Sequence, residues 1–312
     1  MSGHPADGAK ILVARGGALG DFILTLPVLA ALRTRFPNHP LEILGYEQPA
    51  SLALAGGLAN RVRAIESPEF TGFFARDGSW PERAGEYFAG FGLIISYLFD
   101  PEKIFQSNVA RCTAAQFVAG PHRPDESGRE HATAALLRPL EILGLTGCDA
   151  RPRLILGGAA GLRPGERLAI HPGSGSPRKN WPESKWAEFL DRLAAETAWN
   201  FLLIGGEAEG LRCERLAAAL PARRVRLACN LPLGDLARVM RSCAAFVGHD
   251  SGVTHLAAAL DLPGLALWGL SNASVWRPMS DRIQLLRDER GLDALAVEAV
   301  FGAIAQISAG VH

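Results

Sequence analysis

Lys10-Ile11-Leu12-Val13-Ala14-Arg15-Gly16-Gly17-Ala18-Leu19-Gly20-Asp21-Phe22-Ile23-Leu24-Thr25-Leu26-Pro27 is the stretch that decides the fold. Lys10 to Ala14 is a short apolar run that reads as a buried strand, and a glycine-broken loop from Arg15 to Gly20 follows it. A helix is then predicted to about Arg35, because Leu24, Val28, Leu29 and Leu32 recur at helical spacing and Pro37 stands beyond its end. Strand, tight loop and helix in that order open an α/β unit.

The same alternation continues outward. Strands are expected at Leu41–Gly45, Val62–Ile65, Leu93–Phe99 and Gln116–Ala119, with helices at Ala50–Leu54, Pro81–Ala89, Pro101–Cys112 and His131–Leu143. Gly157 to Gly165 combines four glycines with Pro164 and has no periodicity, so it reads as a linker able to absorb a hinge rotation. A second series follows, with strands at Leu168–His171, Phe201–Gly205, Arg226–Ala228, Ala245–Gly248 and Leu265–Trp268. Its helices are expected at Glu183–Thr197, Gly210–Leu220, Leu233–Cys243 and Val253–Leu260, and a closing helix at Leu292–Ile307. Two domains are implied, 1–160 and 161–312, each a doubly wound parallel sheet, with a cleft between them.

Bulk properties fit that division. A chain of 312 residues, 48% hydrophobic, supplies two cores of ordinary size, and Lys plus Arg equals Asp plus Glu at 32 each. No net field invites nucleic acid. The five cysteines are scattered without Cys-x-x-Cys spacing, which fits reduced thiols in the cytoplasm and no zinc site. Met1 to Lys10 is polar, and no apolar run reaches membrane-spanning length.

Three places carry residues with chemical potential. Gly17 and Gly20 let the backbone approach an anion where the first strand turns into a helix, and Asp21 puts a carboxylate at the helix start. Asp21 reads either as a reactive carboxylate or as a partner of the helix dipole. The dinucleotide fingerprint is only half matched and the second strand ends in no suitable acid, since Glu42 comes too early and Glu47 too late. In the second half, His171-Pro172-Gly173-Ser174-Gly175-Ser176-Pro177-Arg178-Lys179 is a loop of small and hydroxyl residues, with Ser174 and Ser176 as donor-side hydroxyls. It delivers Lys179 as either a diphosphate partner or a solvated cation. Last comes Gly248-His249-Asp250-Ser251-Gly252-Val253-Thr254-His255, where a strand meets a helix start. Asp250 there would accept from sugar hydroxyls or cap the helix, and His255 would face the site or pack inside.

Taken together, Gly20-Asp21-Phe22-Ile23-Leu24-Thr25-Leu26-Pro27, Lys179-Asn180-Trp181-Pro182, Gly205-Gly206-Glu207 and Asp250-Ser251-Gly252-Val253-Thr254-His255 resemble the signatures of the lipopolysaccharide heptosyltransferases, glycosyltransferase family nine. The resemblance covers nearly the whole chain. It implies a GT-B fold, whose closing helix packs back on the first domain, and an inverting, metal-independent transfer with no cofactor, from a nucleotide sugar, ADP-heptose in the best-known members, to a glycan or lipid-linked saccharide acceptor. It also implies Asp21 as general base, Lys179 on the donor phosphate during catalysis, Glu207 beside the ribose, and Asp250 with Ser251, Gly252, Thr254 and His255 around the donor sugar and diphosphate. A cytoplasmic monomer, touching the inner-membrane surface when the acceptor is lipid-linked, is the matching expectation. A sugar-nucleotide epimerase on the same architecture and a nucleotide-sugar-binding protein without turnover are the alternatives.

Overall fold

The computed structural model describes residues 8–157, 167–206 and 209–309. Residues 158–165 of the expected linker and Glu207 therefore lie outside the described residues. The chain divides into two compact units, Met1–Ile155 and Leu156–His312.

In the first unit the order is β1 (Lys10–Arg15), α1 (Leu19–Ile23), α2 (Leu26–Arg35), β2 (Leu41–Gly45), α3 (Glu47–Ala55), β3 (Arg61–Ala64), α4 (Glu82–Ala89), β4 (Phe91–Ser96), α5 (Ile104–Ala110), β5 (Gln116–Ala119) and α6 (Ala132–Leu137). Its strands form one parallel sheet in the order β3-β2-β1-β4-β5, with Leu12 opposite Glu42 on one side and Ile94 on the other. Parallel neighbours need crossovers, and helices covering both faces explain why β1, β2 and β4 are almost wholly buried.

The second unit runs β6 (Arg167–His171), α7 (Glu183–Glu196), β7 (Asn200–Gly205), α8 (Gly210–Ala218), β8 (Val225–Cys229), α9 (Leu233–Arg241), β9 (Ala245–His249), α10 (Gly252–Ala259), β10 (Gly264–Leu267), α11 (Ala273–Trp276), β11 (Ile283–Leu286) and α12 (Val297–Ala309). Its parallel sheet has the order β11-β10-β9-β6-β7-β8. The closing helix α12 packs on α7 and against β9 and β10. Val297, Val300, Ala303 and Ile304 join Trp181, Trp186 and Phe189 in the core of this unit.

Both sheets reverse direction of growth at one place, between β1 and β4 in the first and between β6 and β9 in the second. At such a switch point the loops leaving the two strands diverge, and the carboxyl edge is left open. Arg15 to Asp21 leaves β1, Ser96 to Lys103 leaves β4, His171 to Lys179 leaves β6 and His249 to Gly252 leaves β9. The described candidate residues thus lie on the segments that leave the switch-point strands, with Gly20, Asp21, Gly252, Thr254 and His255 in the first turns of the helices that follow.

Three expectations need correction. The first helix is broken at Leu24–Thr25, because Pro27 has no N–H to donate and its ring would crowd the carbonyl four residues back. Pro139 likewise ends the α-helix begun at Ala132 and continues it as a 3-10 segment over Arg138–Leu143. Strand β11 was not expected, and a 3-10 segment at Pro68–Phe74 fills what reads as loop while delivering Phe70 and Phe73 to the first core.

Candidate active site

In the first unit, a single turn of helix carries Asp21. One carboxylate oxygen, Oδ2, accepts from the backbone N–H of Ala18 at 3.0 Å, and the other, Oδ1, lies 3.6 Å from Nη2 of Arg15. Gly17 makes this possible. Its φ is +95°, and a Cβ there would fall 2.8 Å from Asp21 Cβ and Oδ2, so any side chain would push the carboxylate away. Gly20 sits within the turn, and its carbonyl accepts from Leu24 N. The Asp21 side chain is 25% exposed, and a carboxylate has about four acceptor positions, so lone pairs remain for a substrate proton.

A cavity of about 250 Å³ opens at the carboxyl ends of β4 and β5, lined by Leu98, Phe99, Lys103, Phe117 and His122 among others. The Phe99 ring is 71% exposed and tilts over His122 with centroids 4.6 Å apart. Asp100 is occupied in capping α5, accepting from Phe105 and Gln106 N–H groups, and Glu102 pairs with Arg76. The Asp100-Pro101-Glu102 acids are therefore spent on local structure. Among the described residues no group of three or more His, Cys, Asp or Glu is placed to hold a metal ion, and the five cysteines are unpaired.

In the second unit the candidate residues are held by one buried device. His249, the last residue of β9, has Nε2 accepting from Trp181 N–H at 2.8 Å and Nδ1 facing the Gly173 carbonyl at 3.1 Å. That pair of partners requires a neutral ring protonated on Nδ1. Trp181 is further held by its indole N–H, which donates to the Leu295 carbonyl at 3.0 Å. With Trp181 fixed to His249, the residues just beside them meet: Lys179 Nζ donates to Asp250 Oδ2 at 2.6 Å. Two residues expected in separate roles are thus direct partners, the lysine 44% exposed and the aspartate 9%.

Ser251 caps α10, accepting weakly from Thr254 N–H, and its hydroxyl lies 3.2 Å from His171 Nδ1. Thr254 is fully buried and its hydroxyl donates to the His249 carbonyl, while His255 is also buried. Gly252 opens the helix. Ser174 is buried within its loop, bonding the Ser176 carbonyl and the Asn180 side chain, so it shapes the turn that aims Lys179; Ser176 precedes the following 3-10 segment, where its carbonyl accepts from Lys179 N–H, and is half-buried. Sequence reasoning missed His249 as the fastener and Arg15 as the partner of Asp21. It also missed Glu209, whose carboxylate accepts from Gly206 N–H at 3.0 Å and lies against Gly173.

Burial, together with His249 and Arg212 nearby, pushes the His171 pKa down to about 3. Burial also takes His249 down to about 4 against the pull of the Gly173 hydrogen bond. Both pKa values are lower folded than the ordinary 6.5, so the unfolded chain binds protons first and stability falls as pH drops below about 6.5. Each ring contributes a slope of up to about 1.4 kcal/mol per pH unit until its folded pKa is reached. The urea midpoint is expected to be flat from pH 8 to 7, to fall between pH 6 and 4.5, and to fall about half as steeply in His249→Asn. Equal midpoints at pH 5 and 7.5 would show that these rings are not buried neutral.

Residues 159–298 match the model of glycosyltransferase family 9 (heptosyltransferase). Over 95 residues the chain is 41% identical to lipopolysaccharide heptosyltransferase 1 of Pseudomonas aeruginosa, a stretch that is 30% of this chain and 26% of that protein. Lipooligosaccharide heptosyltransferase 2 of Haemophilus influenzae is 30% identical over 115 residues, 36% of this chain and 33% of its own length. A longer likeness, 23% identity over 297 residues, covers 85% of this chain and 83% of lipopolysaccharide heptosyltransferase 3 of Escherichia coli. Among solved structures, a family 9 glycosyl transferase from Veillonella parvula has a TM-score of 0.77 at 19% identity, covering 97% of this chain and 98% of that one. The E. coli heptosyltransferase WaaC with ADP has a TM-score of 0.76 at 19% identity, covering 96% and 99%. At these identities the structures establish the fold, the GT-B class built from two Rossmann-like parallel-sheet units.

Proposed function

From the match of residues 159–298 to the glycosyltransferase family 9 model, we propose that the chain belongs to that family and is an inverting sugar transferase. Its donor is ADP-heptose and its acceptor a glycan or lipopolysaccharide-core saccharide. The observation that carries this reading is the Lys179–Asp250 pair at the N-terminus of the eight-residue helix α10, inside the stretch that matches the family. An ammonium has three N–H donors, so Lys179 bonds Asp250 and still offers two to a diphosphate. The helix terminus adds free N–H groups and a favourable dipole. Glu207 takes the ribose in this reading, and Asp250 accepts from the sugar hydroxyls.

Asp21 takes the proton from the acceptor hydroxyl. The acceptor oxygen then bonds to the anomeric carbon as its bond to the diphosphate oxygen breaks, and the electron pair leaves with ADP, where Lys179 and the α10 terminus stabilise the charge. Attack opposite the leaving group inverts the anomeric centre. The exposed Phe99 ring at the first-unit cavity offers the acceptor saccharide an apolar face.

Mixing the protein with ADP-heptose and heptose-deficient lipopolysaccharide is expected to release ADP and extend the saccharide with inverted configuration. Phe99→Ala is expected to raise the acceptor KM about fivefold, the scale of one aromatic contact of about 1 kcal/mol, and leave the donor KM unchanged. Isomerised donor without acceptor would favour an epimerase instead. ADP binding without transfer to any saccharide would favour a binding protein.

A further inference from the structure

Arg15 is the last residue of β1, and it is only 3% exposed; among the described residues no other lysine or arginine is buried to that degree. Its fork grips several parts of the carboxyl edge at once. Nη1 donates to the His122 carbonyl at 2.8 Å and, more weakly, to that of Tyr97 at 3.5 Å. Nη2 donates to the backbone carbonyl of Asp21 at 3.2 Å and faces Oδ1 of the same residue at 3.6 Å. Thr25 Oγ1 donates to that carbonyl too, at 2.9 Å. His122 lines the cavity beside β5, so a single guanidinium spans from the cavity wall to the carboxylate.

Burying an arginine is expensive, and its Nε finds no partner here. An apolar residue would fill a purely structural position at lower cost. What the guanidinium supplies that an apolar residue cannot is a fixed charge beside the group that must receive a proton, on a planar fork whose Nη2 holds the Asp21 main chain while Nη1 holds the His122 carbonyl. Gly17 leaves room for the Asp21 carboxylate, the Ala18 N–H holds Oδ2, and Arg15 holds the main chain and faces Oδ1. The carboxylate is thereby fixed in one orientation relative to the cavity.

We infer that Arg15 is a positioning residue for the transfer, acting through Asp21 and tying it to the cavity that takes the acceptor saccharide. This rests on the reading of Asp21 as base. Misplacing a reacting group by a fraction of an ångström to an ångström costs about ten- to a hundredfold in rate, whereas binding of either substrate is untouched.

The test is a double-mutant cycle with ADP-heptose and heptose-deficient lipopolysaccharide, using Arg15→Lys, which keeps the charge but loses the fork. Its kcat is expected to fall at least about tenfold while both KM values stay within about twofold. The same substitution made in Asp21→Asn is expected to change the residual rate by less than about twofold, because the residue through which Arg15 acts is already disabled. Equal losses in both backgrounds, or no loss in either, would overturn the inference and leave Arg15 a structural cation. Full turnover in Asp21→Asn alone would instead overturn the base assignment, a result separate from either of these. Arg15→Gln, which keeps an N–H donor without the charge, carries the same cycle if the lysine variant does not fold.

Discussion

Asp21→Asn is expected to leave the first unit folded and ADP affinity unchanged while lowering turnover at least about a hundredfold, the scale of a lost general base. The fold is spared because the amide oxygen still accepts from Ala18 N–H, and because Arg15 and Thr25 bond the backbone carbonyl of Asp21 rather than depend on its side chain alone. Volume is conserved, so Gly17 keeps its contact. What disappears is the negative charge and the capacity to take a proton. ADP affinity is a sensitive companion measurement, since the donor groups assigned here all belong to the second unit. Turnover within threefold of the parent would leave Asp21 as nothing more than the cap of a short helix turn, the reading its Ala18 contact would support by itself.

The architecture was legible wherever a strand is buried on both faces. Leu41–Gly45 was read to the residue, and Leu168–His171 and Phe201–Gly205 to within one, because strands whose side chains are buried almost throughout leave little alternative in a parallel sheet. Strand β11 escaped for the opposite reason. It lies at the sheet edge, only Ile283 is fully buried, and Asp281, Arg282 and Arg287 flank it, so its pattern has neither alternation nor a long apolar run. Helix breaks at Pro27 and Pro139 are written in the sequence, but the apolar spacing around them outweighed the prolines in the reading.

At the site, residue types on switch-point loops were legible and their partners were not. Asp21, Lys179 and Asp250 announce themselves by glycine-rich surroundings at strand ends. The hydrogen bond from Trp181 to His249 joins residues 68 apart in sequence, and that from Arg15 to the His122 carbonyl joins residues 107 apart. No local pattern encodes such pairings. The one available signal for His249 was its place immediately before Asp250 at the end of a wholly apolar strand, where a polar ring must find partners or bear the cost of burial.

The Lys179–Asp250 contact gives the proposed donor site its own large expectation. Two roles for Lys179 compete, because a lysine 2.6 Å from a buried carboxylate would be retained simply to neutralise it. ADP separates them, since it offers the diphosphate without the sugar. If Lys179 bonds the diphosphate, Lys179→Ala loses a charge-assisted hydrogen bond of about 1.5–3 kcal/mol, and ADP affinity drops by about 10- to 150-fold. Asp250→Asn is expected to leave ADP affinity equal or higher, because the ammonium is released from its carboxylate, while transfer from ADP-heptose slows as a sugar-hydroxyl acceptor is weakened. If Lys179 serves only Asp250, both variants bind ADP like the parent, and Lys179→Ala instead lowers the melting temperature by exposing a buried, unpaired carboxylate. Calorimetry with ADP and a melting curve for each variant therefore distinguish the two roles, and ADP affinity unchanged in Lys179→Ala would remove the lysine from the diphosphate site.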